Sequence, residues 1–176
     1  MISRPPILGF IGHSNSGKTT LLTKVIEFLN TSGLNLGAVK HHHRTFTIDH
    51  QGKDSQRFTA AGARKTIITG PQQTALIEQT PEQIPLEKLA DFYMNDLDLI
   101  LVEGFKQTPM PKIEVQRREL NLPLISRNDC HHDPNLVAVV SDLTQELDVP
   151  LFKPEAVTEI CQFILKHFNL KSTAAK

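Results

Sequence analysis

An α/β fold is predicted, a mostly parallel sheet flanked by helices with an antiparallel hairpin extension. Three observations carry it. Helix and strand periods alternate from the start of the chain. A glycine-bounded loop, Gly12 to Thr19, lies between a short apolar run and an amphipathic stretch. A nearly all-apolar run, Leu97 to Val102, has the composition of a strand buried on both faces of a parallel sheet.

Ile7 to Ile11 is apolar and followed by Gly12, so it is expected as the buried first strand. From Thr19 to Ser32 the residues Leu21, Leu22, Val25, Ile26 and Leu29 recur at helical spacing, and Gly33 is a suitable stop. Leu36 to Lys40 predicts a second strand, and about Asp54 to Ala61 a short helix closed by Gly62. Thr66 to Thr69 and Thr74 to Ile77 flank Gly70-Pro71-Gln72-Gln73, the pattern of a hairpin adding an antiparallel edge to the sheet. Pro85 to Asn95 predicts a helix packing through Leu86, Leu89, Ala90 and Tyr93. It leads into the central strand at 97–102. Ile113 to Val115, Leu136 to Val140 and Val149 to Phe152 are further short strands, and about Glu155 to Phe168 is a last helix with Val157, Ile160, Ile164 and Phe168 on one face. Arg117 to Pro134 is polar and broken by two prolines, and is expected as a long loop.

A length of 176 residues favours one nucleotide-binding domain over 1–170, with 171–176 a flexible tail. Nineteen Lys plus Arg balance nineteen Asp plus Glu, which argues against a surface built to bind nucleic acid. Cys130 and Cys161 are too few for a disulfide framework, so a cytoplasmic setting is expected. No apolar run approaches the roughly 20 residues of a membrane-crossing helix, so no membrane partner is expected.

Gly12-His13-Ser14-Asn15-Ser16-Gly17-Lys18-Thr19 has the spacing of a P-loop, with Thr20 following. The two glycines let successive backbone N–H groups face inward, Lys18 reaches the β and γ phosphates, and the Thr19 hydroxyl can ligate magnesium. The helix that follows adds unpaired N–H groups and a positive dipole end. The strand before and helix after make the fold P-loop NTPase-like. Gly12, His13, Ser14, Asn15, Ser16, Gly17, Lys18, Thr19 and Thr20 are therefore the candidate phosphate-binding residues.

A second metal-side carboxylate is expected where a buried neighbouring strand ends. Glu103, closing Leu99-Ile100-Leu101-Val102, fits that place, and Gly104 lets the backbone pass close to the γ phosphate. Asp98 lies about 16 Å away at strand rise and cannot share the role. Lys18 and Glu103 are candidate catalytic residues, with Thr19 and Glu103 the candidate metal ligands. Asp49, in the polar stretch after the second strand, is a third candidate catalytic residue that could face the γ phosphate or its magnesium, although an ordinary surface role fits it nearly as well. His41, His42 and His43 cannot all face one metal from a strand, because neighbouring side chains alternate. Cys130, His131 and His132 could complete a zinc site only if the fold brought them together.

Base choice rests on Asp142, which ends Val137-Ala138-Val139-Val140-Ser141. A carboxylate there can accept from both the N1 and N2 donors of guanine, an edge that adenine lacks. The fuller Asn-Lys-x-Asp pattern is absent, so Asp142 serves equally well as a helix or turn cap.

The P-loop, Val39-Lys40-His41-His42-His43, Gly52-Lys53-Asp54-Ser55, Val102-Glu103-Gly104-Phe105-Lys106, Pro111-Lys112-Ile113-Glu114-Val115 and Ala138 to Asp142 occur in one order along residues 7 to 168. That combination resembles the molybdopterin-guanine dinucleotide biosynthesis adaptor B family. The resemblance implies a homodimer that binds GTP with magnesium and hydrolyses it weakly. It implies a partner, the molybdopterin nucleotidyltransferase that attaches GMP to molybdopterin, and contact with molybdopterin itself. The loop contains no second lysine near its start, and no Gln or Arg is placed by the sequence to orient water, so hydrolysis is expected to be slow. The alternative is a P-loop kinase passing the γ phosphate of ATP or GTP to a small molecule, with Arg117, Arg118 and Arg127 as lid arginines.

The zero net charge is a cancellation. Residues 1–65 carry nine Lys plus Arg against three Asp plus Glu, and 66–176 carry ten against sixteen. Positive charge gathers in the part holding the P-loop, as a focused phosphate site requires.

Overall fold

The structure, a computed structural model, describes residues 4–48 and 52–171. In chain order the elements are β1 (Ile7–Ile11), α1 (Lys18–Thr31), β2 (Leu36–Lys40), α2 (Asp54–Ala60), β3 (Lys65–Thr69), β4 (Thr74–Glu78), α3 (Leu86–Tyr93), β5 (Leu99–Glu103), β6 (Lys112–Gln116), β7 (Arg127–Asn128), β8 (His131–His132), β9 (Leu136–Ser141), β10 (Leu151–Phe152) and α4 (Val157–His167). Two compact units result, Met1–His41 with Ala90–Lys176, and His42–Leu89.

The larger unit is built on a six-stranded parallel sheet in the order β10-β9-β6-β1-β5-β2. The inner strands β1, β5 and β9 are apolar runs because both of their faces are covered. On one face Leu8, Phe10, Leu99, Leu101, Ile113, Val115, Ala138 and Val140 pack with Leu21, Leu22, Val25 and Leu29 of α1 and Ile160, Cys161 and Ile164 of α4. Those helical residues stand at the i, i+3, i+4 spacing legible in the sequence. Burial pushes the Cys161 thiol up to about 12, so it behaves as a small apolar residue. β1 lies where the sheet order turns back, with later strands added on either side. Ligands of open α/β sheets collect beyond the strand carboxyl ends at such a point.

The other face is less ordinary. Along β6, Lys112, Glu114 and Gln116 alternate with Ile113 and Val115, and all five are buried. Lys112 Nζ donates to Asp133 Oδ2 at 2.5 Å and to the Lys106 carbonyl at 2.8 Å. Glu114 accepts from the backbone N–H groups of Ile125 at 2.6 Å and Ser126 at 2.9 Å, and from the Ser126 hydroxyl. Gln116 donates to the Leu122 carbonyl at 3.0 Å and accepts from Ser141 Oγ and Gln145 Nε2. The stretch 117–134, expected as a long loop, therefore includes a 3-10 turn at Arg118–Leu120 and the small β7–β8 hairpin, and is fastened to the sheet through these buried polar groups.

The unit His42–Leu89 contains α2 and the predicted hairpin, whose strands pair in register from Lys65↔Glu78 to Thr69↔Thr74. The Thr59 and Thr66 hydroxyls meet at 3.2 Å, joining α2 to β3. One expectation is corrected. The hairpin adds no edge to the parallel sheet but forms a two-stranded sheet of its own. Only Thr66 of β3 is buried, whereas Ile67, Ile68 and Leu76 are exposed, so the hairpin lacks the covered apolar faces of a strand in the main sheet. In α3, Leu86 and Ala90 are buried as expected, but Tyr93 is 44% exposed, its ring edge-on to Phe92. The helix stops there, and the phenol stays at the surface.

Candidate functional site

β1 delivers the chain into the loop 12–17, and α1 starts at Lys18. Gly12, Asn15 and Gly17 have φ of 140°, 63° and 87°, so the loop turns repeatedly through backbone that L side chains rarely adopt. Such a turn directs successive N–H groups into a concavity. Gly12 is also required by space, since a Cβ there would stand 2.2 Å from the Val115 carbonyl oxygen. Gly17 caps α1 with no side-chain hydrogen bond, and the first turn of α1 carries no acid. Its leading N–H groups are thus suited to an external anion.

The sequence-predicted residues take distinct places. Ser16 is fully buried, while Ser14, Asn15, Thr19 and Thr20 are exposed around the loop. Lys18 Nζ donates to the His13 carbonyl at 2.6 Å and to Ser16 Oγ at 3.4 Å. Its ammonium is held below the ordinary lysine range, first by loss of water, with Lys106 and Lys40 adding repulsion and Glu103 opposing the shift. The Thr19 hydroxyl donates to Glu103 Oε2 at 2.8 Å. Thr19 and Glu103, 84 residues apart, are thus brought together.

Phe10, Glu103 and Lys40 are cross-strand neighbours in β1, β5 and β2. Lys40 Nζ lies 3.2 Å from Glu103 Oε1. Gly104 has φ of 102°, and a Cβ there would reach 2.9 Å from His41 Cβ. Phe105 also has positive φ, 51°, and its ring packs at 4.3 Å on the His41 ring. Asp98, at the far end of β5, accepts from the Asn35 N–H at 2.7 Å, away from Glu103. Asp49 lies outside the described residues. Among the described residues no three His, Cys, Asp or Glu side chains assemble as a metal-ligand set.

Asp142, just past β9, accepts the Arg118 N–H at 2.8 Å through Oδ1, and its own carbonyl accepts from Arg118 Nη2 at 3.3 Å. The Arg118 N–H bond holds its carboxyl below the usual range, with the Arg117 and Arg118 charges adding to it. The Asp142 carboxylate thus serves the first N–H of the 3-10 turn at Arg118–Leu120.

Several contacts around the loop are not legible in the sequence. Arg117 Nε donates to the Ser16 carbonyl at 3.3 Å, and its guanidinium lies 3.1 Å from where a Gly17 Cβ would be. The sequence placed no arginine at the loop because only the β6–β1 pairing brings residue 117 there. His13 Nε2 lies 3.0 Å from the Pro123 carbonyl, as its donating tautomer allows. Lys40 and Lys106 likewise join Lys18 around Glu103, a cationic cluster that no local motif announces.

Residues 7–142, which include the P-loop, Glu103, Arg117 and Asp142, match the family of molybdopterin guanine dinucleotide synthesis protein B. The chain belongs to this family. It is 37% identical to the molybdopterin-guanine dinucleotide biosynthesis adapter protein of Haemophilus influenzae, over 96% of this chain and 94% of that protein. It is 36% identical to the adapter of the same name from Escherichia coli, over 92% of each. The crystal structure of a molybdopterin-guanine biosynthesis protein B superposes with a TM-score of 0.73 at 28% identity, covering 92% of this chain and 99% of that one. These similarities extend over nearly the whole chain, so both the parallel sheet and the segments beyond the P-loop are family features.

Proposed function

We propose that this protein is a GTP-binding adaptor that assists the nucleotidyltransferase attaching GMP to molybdopterin, the step that makes the guanine dinucleotide form of the molybdenum cofactor. The observation that carries the nucleotide part is the Thr19–Glu103 hydrogen bond at the mouth of an uncapped, glycine-turned loop. The adaptor part rests on the family. A homodimer acting in the cytoplasm is part of the same reading.

The residues present fit a magnesium triphosphate. The loop N–H groups and the first turn of α1 hold the phosphates. Lys18, resting on the His13 carbonyl and the Ser16 hydroxyl and partly stripped of water, exchanges these neutral acceptors for phosphate oxygens of full charge. Thr19 and Glu103 would hold the magnesium, which supplies charge neutralisation at the β and γ oxygens. Lys40 and Lys106 add positive potential on the Glu103 side. Asp142 offers a carboxylate for the guanine edge.

The arginines considered for a kinase lid each hold a partner within the chain. Arg127 is bidentate to Asp148 and donates to the Ser126 and Asp133 carbonyls, Arg118 serves Asp142, and Arg117 serves Ser16. This supports the adaptor. Arg117 is turned to the loop's own carbonyl and is not placed as an arginine finger, a part worth about 10³ to 10⁵ in rate, which supports slow hydrolysis in the isolated protein.

The deciding experiment has two arms. Titration calorimetry with magnesium is expected to show GTP bound in preference to ATP, and Lys18→Ala to weaken binding with the melting temperature retained. A pull-down from cytoplasm is expected to recover a molybdopterin nucleotidyltransferase in a GTP-dependent way. Preferential ATP binding would sink the guanine assignment, and accumulation of a phosphorylated metabolite would replace the adaptor with a kinase.

A further inference from the structure

The geometry points to Arg117 as a positioning residue for the phosphate loop, one that aims the Gly17 N–H at the β phosphate by holding the far side of the same peptide. The inference rests on the nucleotide-binding reading above. A trans peptide unit is rigid and planar, and its C=O and N–H point in opposite directions. Fixing the Ser16 carbonyl therefore fixes the direction of the Gly17 N–H. Arg117 Nε donates to that carbonyl at 3.3 Å, from the side on which its guanidinium also faces the Gly17 Cα. The opposite side of the peptide is the loop interior, where the backbone N–H groups of a P-loop meet the phosphates.

The peptide needs such a hold. Gly17 has φ of 87°, and glycine crosses into and out of that region with little resistance. Asn15, just before, is also at positive φ. A flip of the 16–17 peptide would turn its carbonyl oxygen toward the phosphates, where it repels them. Arg117 resists this from a fixed base. It directly follows Gln116, whose amide is tied to Leu122, Ser141 and Gln145, and the neighbouring Arg118 N–H is tied to Asp142. A second attachment, from His13 to the Pro123 carbonyl, fastens the start of the loop to the other end of the same 117–123 segment.

The role makes a prediction that charge alone does not. A directed N–H to the β phosphate serves every ligand with a diphosphate group equally. Arg117→Ala is expected to weaken GTP, GDP and inorganic pyrophosphate by a similar factor, about tenfold for loss of a charge-assisted hydrogen bond, and to leave GMP unchanged. The GTP to GDP affinity ratio stays at its wild-type value. Arg117→Lys, which keeps a donor, is expected to recover most of the loss. Thermal melting of both variants confirms that the domain is intact. A loss that grows with each added phosphate overturns the inference in favour of a plain electrostatic contribution. A loss confined to guanine nucleotides with pyrophosphate unaffected overturns it in favour of contact with the nucleoside. Full affinity in Arg117→Ala also overturns it. Wild-type protein that binds neither nucleotide nor pyrophosphate instead removes the phosphate site itself, an outcome visible before any variant is made.

Discussion

The Thr19 hydroxyl donates to Glu103 Oε2 at 2.8 Å, joining the first turn of α1 to the end of β5. Under the proposed function this hydroxyl and carboxylate would both face the magnesium ion, one from the loop side and one from the sheet. Glu103→Gln keeps an acceptor for Thr19 and removes the charge. Magnesium is expected to improve GTP affinity in the wild type and to lose at least about tenfold of that improvement in the variant. Titrations with magnesium and with a chelator measure it; an unaltered magnesium effect would remove Glu103 from the metal side.

Asp142 decides between two uses of one carboxylate. Its bond to the Arg118 N–H engages Oδ1 and leaves acceptor capacity for a base edge. Asp142→Ala is expected to reduce GTP affinity by about tenfold or more while ATP affinity holds, narrowing the preference. If both nucleotides weaken together, Asp142 acts only as the cap of the 118 turn.

Gly12→Ala tests the loop's floor. The new methyl meets the Val115 carbonyl oxygen at 2.2 Å and places alanine at φ of 140°, where strain costs about 1 to 3 kcal/mol before any clash is relieved. A lowered melting temperature together with loss of GTP binding is expected. Wild-type melting and affinity would show that β6 can move away from the loop.

Buried Lys112 and Asp133 supply a pH test. Burial opposes ionisation of Asp133, but the Lys112 and Asn135 hydrogen bonds outweigh it and hold the carboxyl below its ordinary value. A depressed carboxyl contributes stability above its unfolded value, about 3.9, and that contribution is lost as pH falls through the folded value. Asp133→Asn leaves Lys112 buried beside a neutral amide and is expected to destabilise by about 3 to 5 kcal/mol at pH 7. Urea unfolding across pH should show the difference from wild type shrinking as acid titrates Asp133. A pH-independent difference would contradict the pairing.

Much of this arrangement was legible because it depends on local pattern. The P-loop is continuous in sequence, α1 shows its buried face at helical spacing, and β5 announces itself as an apolar run ending in Glu103. What escaped was polar and long-range. Lys-Ile-Glu-Val-Gln at 112–116 has the alternation of a half-exposed strand, yet every side chain is buried, since partners 6 to 29 residues away satisfy the polar ones. The hairpin is legible as a hairpin, but pairing within it carries no information on whether it joins another sheet. Arg117 and Lys40 reach the site only through strand order, which composition does not encode.

The fastening of 117–134 to β6 makes the two flanks of the phosphate loop mechanically unequal. On the β6 flank, any displacement must separate buried charged and amide groups together, each left without water to replace its partner. On the β2 flank, strand pairing with β5 and the His41 N–H to the Glu103 carbonyl are joined by the Lys40–Glu103 ion pair, with Lys40 59% exposed, and beyond them lie two successive residues at positive φ, Gly104 and Phe105. The β2 flank is also where the chain leaves at His42 for its second unit. The polar groups buried beside β6 therefore hold that flank of the loop as a set, whereas the β2 flank rests on strand pairing and an ion pair open to solvent.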